Sequence, residues 1–309
     1  MSSTGPILPR TMSELDVLVN AEYFVDTQLW PLHHKLNAKG WLDNFTDVEK
    51  PFAVHLLNGF LYFCPDLVDQ MFKNAFQSLS SRLYQPGDSY LAFQSKWRQF
   101  VDTVIVTYVT GERPNPTDSG FAFARKARQV LGIDENRIKS PEEALQHIVR
   151  REGPVLFVDD FVGSGNQMIE TWQRSYTIGG LATSFERVGS VSSSTFYYCP
   201  VICTEKGSDR LRHACPQVLL QPAHIITDRY NAVAPNSFFW PSHLWPAALG
   251  FLQTASARAG IPDNDGNVND WRGFHKLGLA LAIGDSVPDA TLPIFYWEEK
   301  DWTPLIRRT

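Results

Sequence analysis

The 309-residue sequence predicts an α/β fold, a parallel sheet flanked by helices. Three observations carry that reading. From residue 103 to 226, β-branched and aromatic runs alternate with helical patterns, the order that builds parallel sheets with crossover helices. Hydrophobic residues make up 43% of the chain, enough for a sizeable core. Acids and glycines gather just past two of the apolar runs, at the carboxyl edge where open sheets hold ligands.

Taken in order, residues 13–38 read as a helix opened by Ser13 with Asp16 three places on, a capping box, and kinked or ended by Pro31. Helices follow over about 47–63, 66–83 and 89–102; in the second, Leu67, Met71, Ala75 and Leu79 share one face. This helical section, 1–100, precedes an α/β core, 101–235. The core opens on the strand "TVIVTYVTG" and the helix 119–131, capped by Asp118 or Ser119 and closed by Gly132. A second helix, 140–153, starts with Ser140, Pro141 and Glu143. The strand "GPVLFVDD" leads through a glycine loop into a helix at 164–175. "TFYYCPVICTE", "GSDRLRHAC" and "VLLQPAHIIT" then repeat strand, helix, strand. The tail, 236–309, is expected to carry a helix near 241–259 and an apolar stretch packing on the core.

A net charge of −5 argues against general nucleic-acid binding. No run approaches the roughly 18 apolar residues of a membrane helix. The polar start, "MSSTGPILPRTMSELD", does not resemble a signal peptide, so a cytoplasmic location is expected and the four cysteines are read as free core thiols. "CPVIC" with His213 and Cys215 is not a standard zinc spacing.

The informative stretch is "VLFVDDFVGSGNQ". Glycines let a backbone gather its N–H groups at one point, and the following helix adds its positive end. Gly163, Ser164, Gly165, Asn166 and Gln167 therefore make a seat for a phosphate. Asp159 and Asp160, just upstream, are placed to accept from vicinal hydroxyls or to meet a Mg²⁺. A ribose 5-phosphate satisfies both demands.

That stretch resembles the signature of type I phosphoribosyltransferases, in which an apolar strand, two acids and a Thr/Gly loop hold the ribose phosphate of phosphoribosyl pyrophosphate (PRPP). The resemblance extends over about 103–226. It implies a type I phosphoribosyltransferase-like core with catalytic Asp159 and Asp160 (also the Mg²⁺ ligands), and a pyrophosphate loop near Gly111 and Arg113. Arg113 and Lys206 each follow a strand's carboxyl end, a place from which to neutralise a pyrophosphate, and the helix start at Asp118, Ser119 and Gly120 adds ligand contacts to its capping role. The whole chain, with "DSGFAFARKAR" and "SVPDATLP", resembles phosphoribosyltransferase-like proteins of bacterial antiphage systems, some of them retron-associated. This implies a toxin-like effector acting on PRPP or a nucleotide, with protein or ribonucleoprotein partners. The sequence departs from the pattern in two ways. Gly163 and Gln167 stand where hydroxyl residues are usual, and 133–152 leaves little room for the hairpin loop that shields the reaction centre. An open site suits hydrolysis or binding better than transfer to a base.

Two other readings compete. One is a catalytically inactive fold serving as a scaffold. The other is an S-adenosylmethionine-dependent methyltransferase, whose "DPFxGSGTT" loop is similar; the Pro-Pro-aromatic motif such enzymes use on a flipped base is absent from this sequence.

Overall fold

A computed structural model of the chain describes residues 12–111, 119–284 and 286–308. Contacts divide it into two units: Pro65–Asp228, and the chain up to Cys64 joined with Arg229–Thr309.

The second of these begins with α1 (Glu14–Asp26), α2 (Ala38–Leu42), α3 (Lys50–Asn58) and β1 (Leu61–Phe63). The Ser13–Asp16 capping box forms as the sequence predicts. The helix stops well before Pro31, because Thr27 turns its hydroxyl back to the Tyr23 carbonyl (2.8 Å) and Gln28 is left-handed, φ 59°. The expected helix over 47–63 is likewise shorter; it closes at Gly59, and after Phe60 the residues Leu61–Phe63 form a strand paired in parallel with β9 (Leu281–Ile283) of the tail. Trp41, fully buried, stacks on Phe295 at 5.2 Å and donates its indole N–H to the Ile294 carbonyl at 2.8 Å. The tail's apolar stretch is thus part of the core built by the first 64 residues, which is why the chain does not divide at 235.

The other unit carries α4 (Pro65–Ser78), α5 (Ser80–Leu83), α6 (Tyr90–Thr103), β2 (Ile105–Tyr108), α7 (Ser119–Leu131), α8 (Pro141–Arg150), β3 (Pro154–Val162), α9 (Asn166–Gln173), β4 (Tyr176–Ile178), β5 (Leu181–Thr183), α10 (Phe185–Gly189), β6 (Thr195–Thr204), α11 (Glu205–Ala214), β7 (Val218–Leu220) and β8 (His224–Ile226). The remaining long helix among the described residues, α12 (Trp245–Ala259), belongs to the unit that holds α1, α2, α3 and β1.

The main sheet runs β2-β3-β6-β7, with β8 also on β6, and all its pairs are parallel. β7 and β8 are two pieces of one edge, split at Pro200. That residue has no N–H to offer the neighbour; its carbonyl alone accepts, from Ala223 N at 3.2 Å. On one face Val155, Phe157, Phe196 and Tyr198 pack with Leu145 and Ile148 of α8, Met168 and Trp172 of α9, Phe185 of α10 and Leu211 of α11. On the other, Tyr197 meets Phe100 of α6 at 5.4 Å, while Phe72 of α4 meets Phe123 of α7. Residues 65–103 therefore complete the α/β sandwich as its second helical layer, so a boundary at 100 would cut through the core. β4 and β5 form a hairpin over Gly179 and Gly180, both with positive φ (58° and 84°), as a two-residue turn demands.

Candidate functional site

β3 extends through the acidic pair to Val162, so Asp159 and Asp160 lie inside the strand rather than after its end. Pairing with β2 stops at Val158, opposite Tyr108. Pairing with β6 sets Asp159 opposite Pro200 and Phe161 opposite Ile202. Alternation along the strand puts Asp159 on the face of Phe157 and Tyr198, and Asp160 on the other. Both are enclosed: Asp159 is 2% exposed and Asp160 7%.

Asp159 is held at both oxygens. The Tyr198 hydroxyl donates to Oδ2 at 3.0 Å, and the Asp160 backbone N–H donates to Oδ1 at 3.0 Å. Burial, then the neighbouring Asp160 charge and a hydrogen bond between the two side chains, push the Asp159 carboxyl well above the usual carboxylate range; the Tyr198 bond opposes this. Asp159 accordingly keeps its proton where an exposed aspartate ionises. Burial and the Asp159 carboxyl also push the Tyr198 phenol up.

The loop after β3 turns at Gly165, which is left-handed (φ 79°) and caps α9 without a side-chain hydrogen bond. The first turn of α9 thus presents N–H groups that no cap side chain claims, save the 3.4 Å contact from Asn166 N to Ser164 Oγ. Gly163, Ser164 and Asn166 are partly exposed and Gln167 exposed, so the loop's polar groups do reach the surface.

The loop is seated on α11. Thr204, the N-cap of α11, donates from Oγ1 to the Gly163 carbonyl (2.6 Å) and accepts from Gly207 N (2.9 Å). A Cβ on Gly207 would stand 2.3 Å from the Gly163 oxygen, and one on Gly165 would meet Leu211 at 3.1 Å. Arg210 adds a 3.4 Å bond to the Ser164 carbonyl. Lys206 is exposed on the first turn of that helix, next to Gly207.

Gly120 has a packing reason of its own: a Cβ there would lie 2.4 Å from the Val109 carbonyl, so it lets α7 start hard against the end of β2. Ser119 opens α7, while Arg113 and Asp118 lie outside the described residues. The end of β2 is tied to α9. Thr110 N donates to Thr171 Oγ1 at 3.0 Å, and Arg174 donates to the Thr110 hydroxyl and, at 2.7 Å, to the Gly111 carbonyl.

Tyr198, Thr204, Thr171 and Arg174 are not singled out by the sequence. Only Thr204 carried a usable signal, as an N-cap residue ahead of "EKGSDRL". Mg²⁺ takes near-octahedral oxygen ligands and keeps several waters. Asp159, enclosed and bonded at both oxygens, does not fit as one half of a bridging pair; Asp160 is the carboxylate left to reach an ion. Among the described residues no three His, Cys, Asp or Glu side chains group as a metal site, and no helix is long and apolar enough to cross a membrane.

Comparison with known proteins gives the following. No curated protein matches the chain. Among solved structures, the orotate phosphoribosyltransferase from Aeropyrum pernix is similar over 50% of this chain and 72% of its own, with 13% identity and a TM-score of 0.25. The AQ2163 protein from Aquifex aeolicus is similar over 57% of this chain and 84% of its own, with 11% identity and a TM-score of 0.31. The profile of the PRTase-CE family matches residues 38–308. With that match running through both units, the chain belongs to the PRTase-CE family, a phosphoribosyltransferase-like group.

Proposed function

We propose that the chain binds PRPP or a nucleotide through its ribose 5-phosphate, and that it cleaves or exchanges the bond at the anomeric carbon. The observation that carries this reading is Gly165. Its left-handed turn leaves α9 without a side-chain cap at the carboxyl edge of the sheet, one short loop away from Asp160. The phosphate takes the amides of 165–167, and the sugar hydroxyls lie at the acidic end of β3. Anchoring the phosphate remote from the reacting carbon holds that carbon in place. The bond breaks with its electron pair leaving on the base or the pyrophosphate, and water or an incoming base closes on the oxocarbenium-like carbon, its proton passing to the leaving group or to solvent. A Mg²⁺, within this proposal, is held by Asp160 and the ligand's own oxygens. The resemblance to antiphage proteins supports a cellular role as an effector that depletes nucleotides once released by a partner.

Chromatography of nucleotide mixtures incubated with purified protein tests the chemistry. Release or exchange of a base, lost in the Asp159→Asn/Asp160→Asn double variant, is the expected result. Bound but unaltered nucleotide would mark a binding module, and retention of S-adenosylmethionine with PRPP ignored would mark a methyltransferase. Expression of the wild type, but not of the double variant, should lower nucleotide pools or arrest growth.

A further inference from the structure

We propose that Asp159 and Tyr198 form a buried brace that sets the position of Asp160, leaving Asp160 as the one carboxylate of the pair that meets the sugar. The division of labour rests on the ribose-phosphate reading; the brace itself does not.

Several observations combine. Asp159 and Tyr198 are 2% and 1% exposed, so neither offers a surface to a ligand. Tyr198 stands opposite Phe157, two residues before Asp159, and its hydroxyl reaches forward along the sheet to Oδ2. The Asp160 N–H faces the β2 side of the strand, where pairing has ended at Val158↔Tyr108, and there Asp159 Oδ1 takes it. A side chain thus takes the place of a sheet partner at the peptide from which Asp160 projects, two residues before β3 ends. Asp160 turns toward the opposite face by alternation, its carboxyl still within hydrogen-bond reach of Asp159, and keeps the larger residual exposure. A carboxyl anchored this way fixes its neighbour's direction as a positioning residue and does not touch the ligand.

Hydrogen–deuterium exchange on the ligand-free protein tests the brace. Tyr198→Phe should speed exchange of the amides over 160–167 by about tenfold or more, whereas Asp160→Asn should leave them unchanged. Titration with ribose 5-phosphate then tests the division of labour. Asp160→Asn should weaken binding by about tenfold or more, as loss of a charged hydrogen-bond partner does. Asp159→Asn, whose Oδ1 can keep the Asp160 N–H while its NH2 donates to the Tyr198 oxygen, should weaken it by less than about threefold. Melting temperatures of the two Asn variants should stay alike. Unchanged exchange in Tyr198→Phe overturns the brace, and equal losses in the two Asn variants overturn the assignment to Asp160. If the wild type takes up no ribose 5-phosphate, the ribose-phosphate reading fails and the assignment falls with it, while the exchange result still decides the brace.

Discussion

Thr204 Oγ1 donates to the Gly163 carbonyl at 2.6 Å while accepting from Gly207 N at 2.9 Å, so one hydroxyl both caps α11 and fastens the loop that follows β3. Thr204→Val keeps the shape and removes both bonds in a residue only 3% exposed. The expected cost is about 1–3 kcal/mol in chemical denaturation, the range for a lost cap plus a buried unsatisfied group. Faster amide exchange at 163–166 should accompany it.

Two glycines near this contact should resist substitution for different reasons. Gly207→Ala drives a Cβ to 2.3 Å from a backbone oxygen that cannot swing aside; overpacking of that kind costs about 1–3 kcal/mol. Gly165→Ala adds the strain of a left-handed alanine, of order 1 kcal/mol or more, to the contact with Leu211. A control at Gly153, where a Cβ meets nothing within 4 Å, should fall within about 0.5 kcal/mol of wild type.

Thiol labelling should separate the cysteines. Burial pushes the Cys203 and Cys215 thiols up to about 12, and Cys199 is raised further by full enclosure. Cys64 is the partly exposed one. Iodoacetamide at neutral pH should modify Cys64 in the folded protein and reach the other three only on unfolding, which peptide mapping would show. Fast labelling of Cys199 or Cys203 would contradict the closed core around β6.

Asp159 should give the fold a distinct pH signature. Its folded value lies well above the ordinary 3.8, so its contribution to stability is fully present below 3.8 and is lost as pH rises toward the folded value. The difference in unfolding free energy between wild type and Asp159→Asn should therefore fall as pH rises from about 4. Asp270 runs the other way. Although burial raises it, hydrogen bonds from Arg272 and from backbone N–H groups hold this carboxyl low, so its contribution is present above 3.8 and lost on acidification. In Asp270→Asn the acid-side loss of stability should be smaller than in wild type.

Much of the α/β core was legible because its signals are local. "SPEEALQHIVR" carries its cap, its Pro at the first position and its apolar face within one helix, and that helix appears as Pro141–Arg150. Asp159 and Asp160 stood out for the same reason: two acids interrupt an apolar run. What was not legible depends on register between distant segments. Tyr198 is one aromatic among several in "TFYYCPV", and only the pairing of Phe157 with Tyr198 brings its hydroxyl to Asp159. Arg174 closes on Thr110 and Gly111 across more than sixty residues. Gly179-Gly180 did carry a turn signal, yet the flanking "YTI" and "LAT" are too short to read as strands by periodicity. The tail's place beside Trp41 rests on a three-residue strand pair that no local pattern marks.

Calorimetric titration of the purified protein with ribose 5-phosphate tests the central claim most directly, alongside PRPP and S-adenosylmethionine. The account predicts saturable binding of ribose 5-phosphate and PRPP, weakened about tenfold or more by Asp160→Asn, with no uptake of S-adenosylmethionine. No heat from either ribose phosphate, or equal binding by wild type and the Asp159→Asn/Asp160→Asn variant, would contradict it.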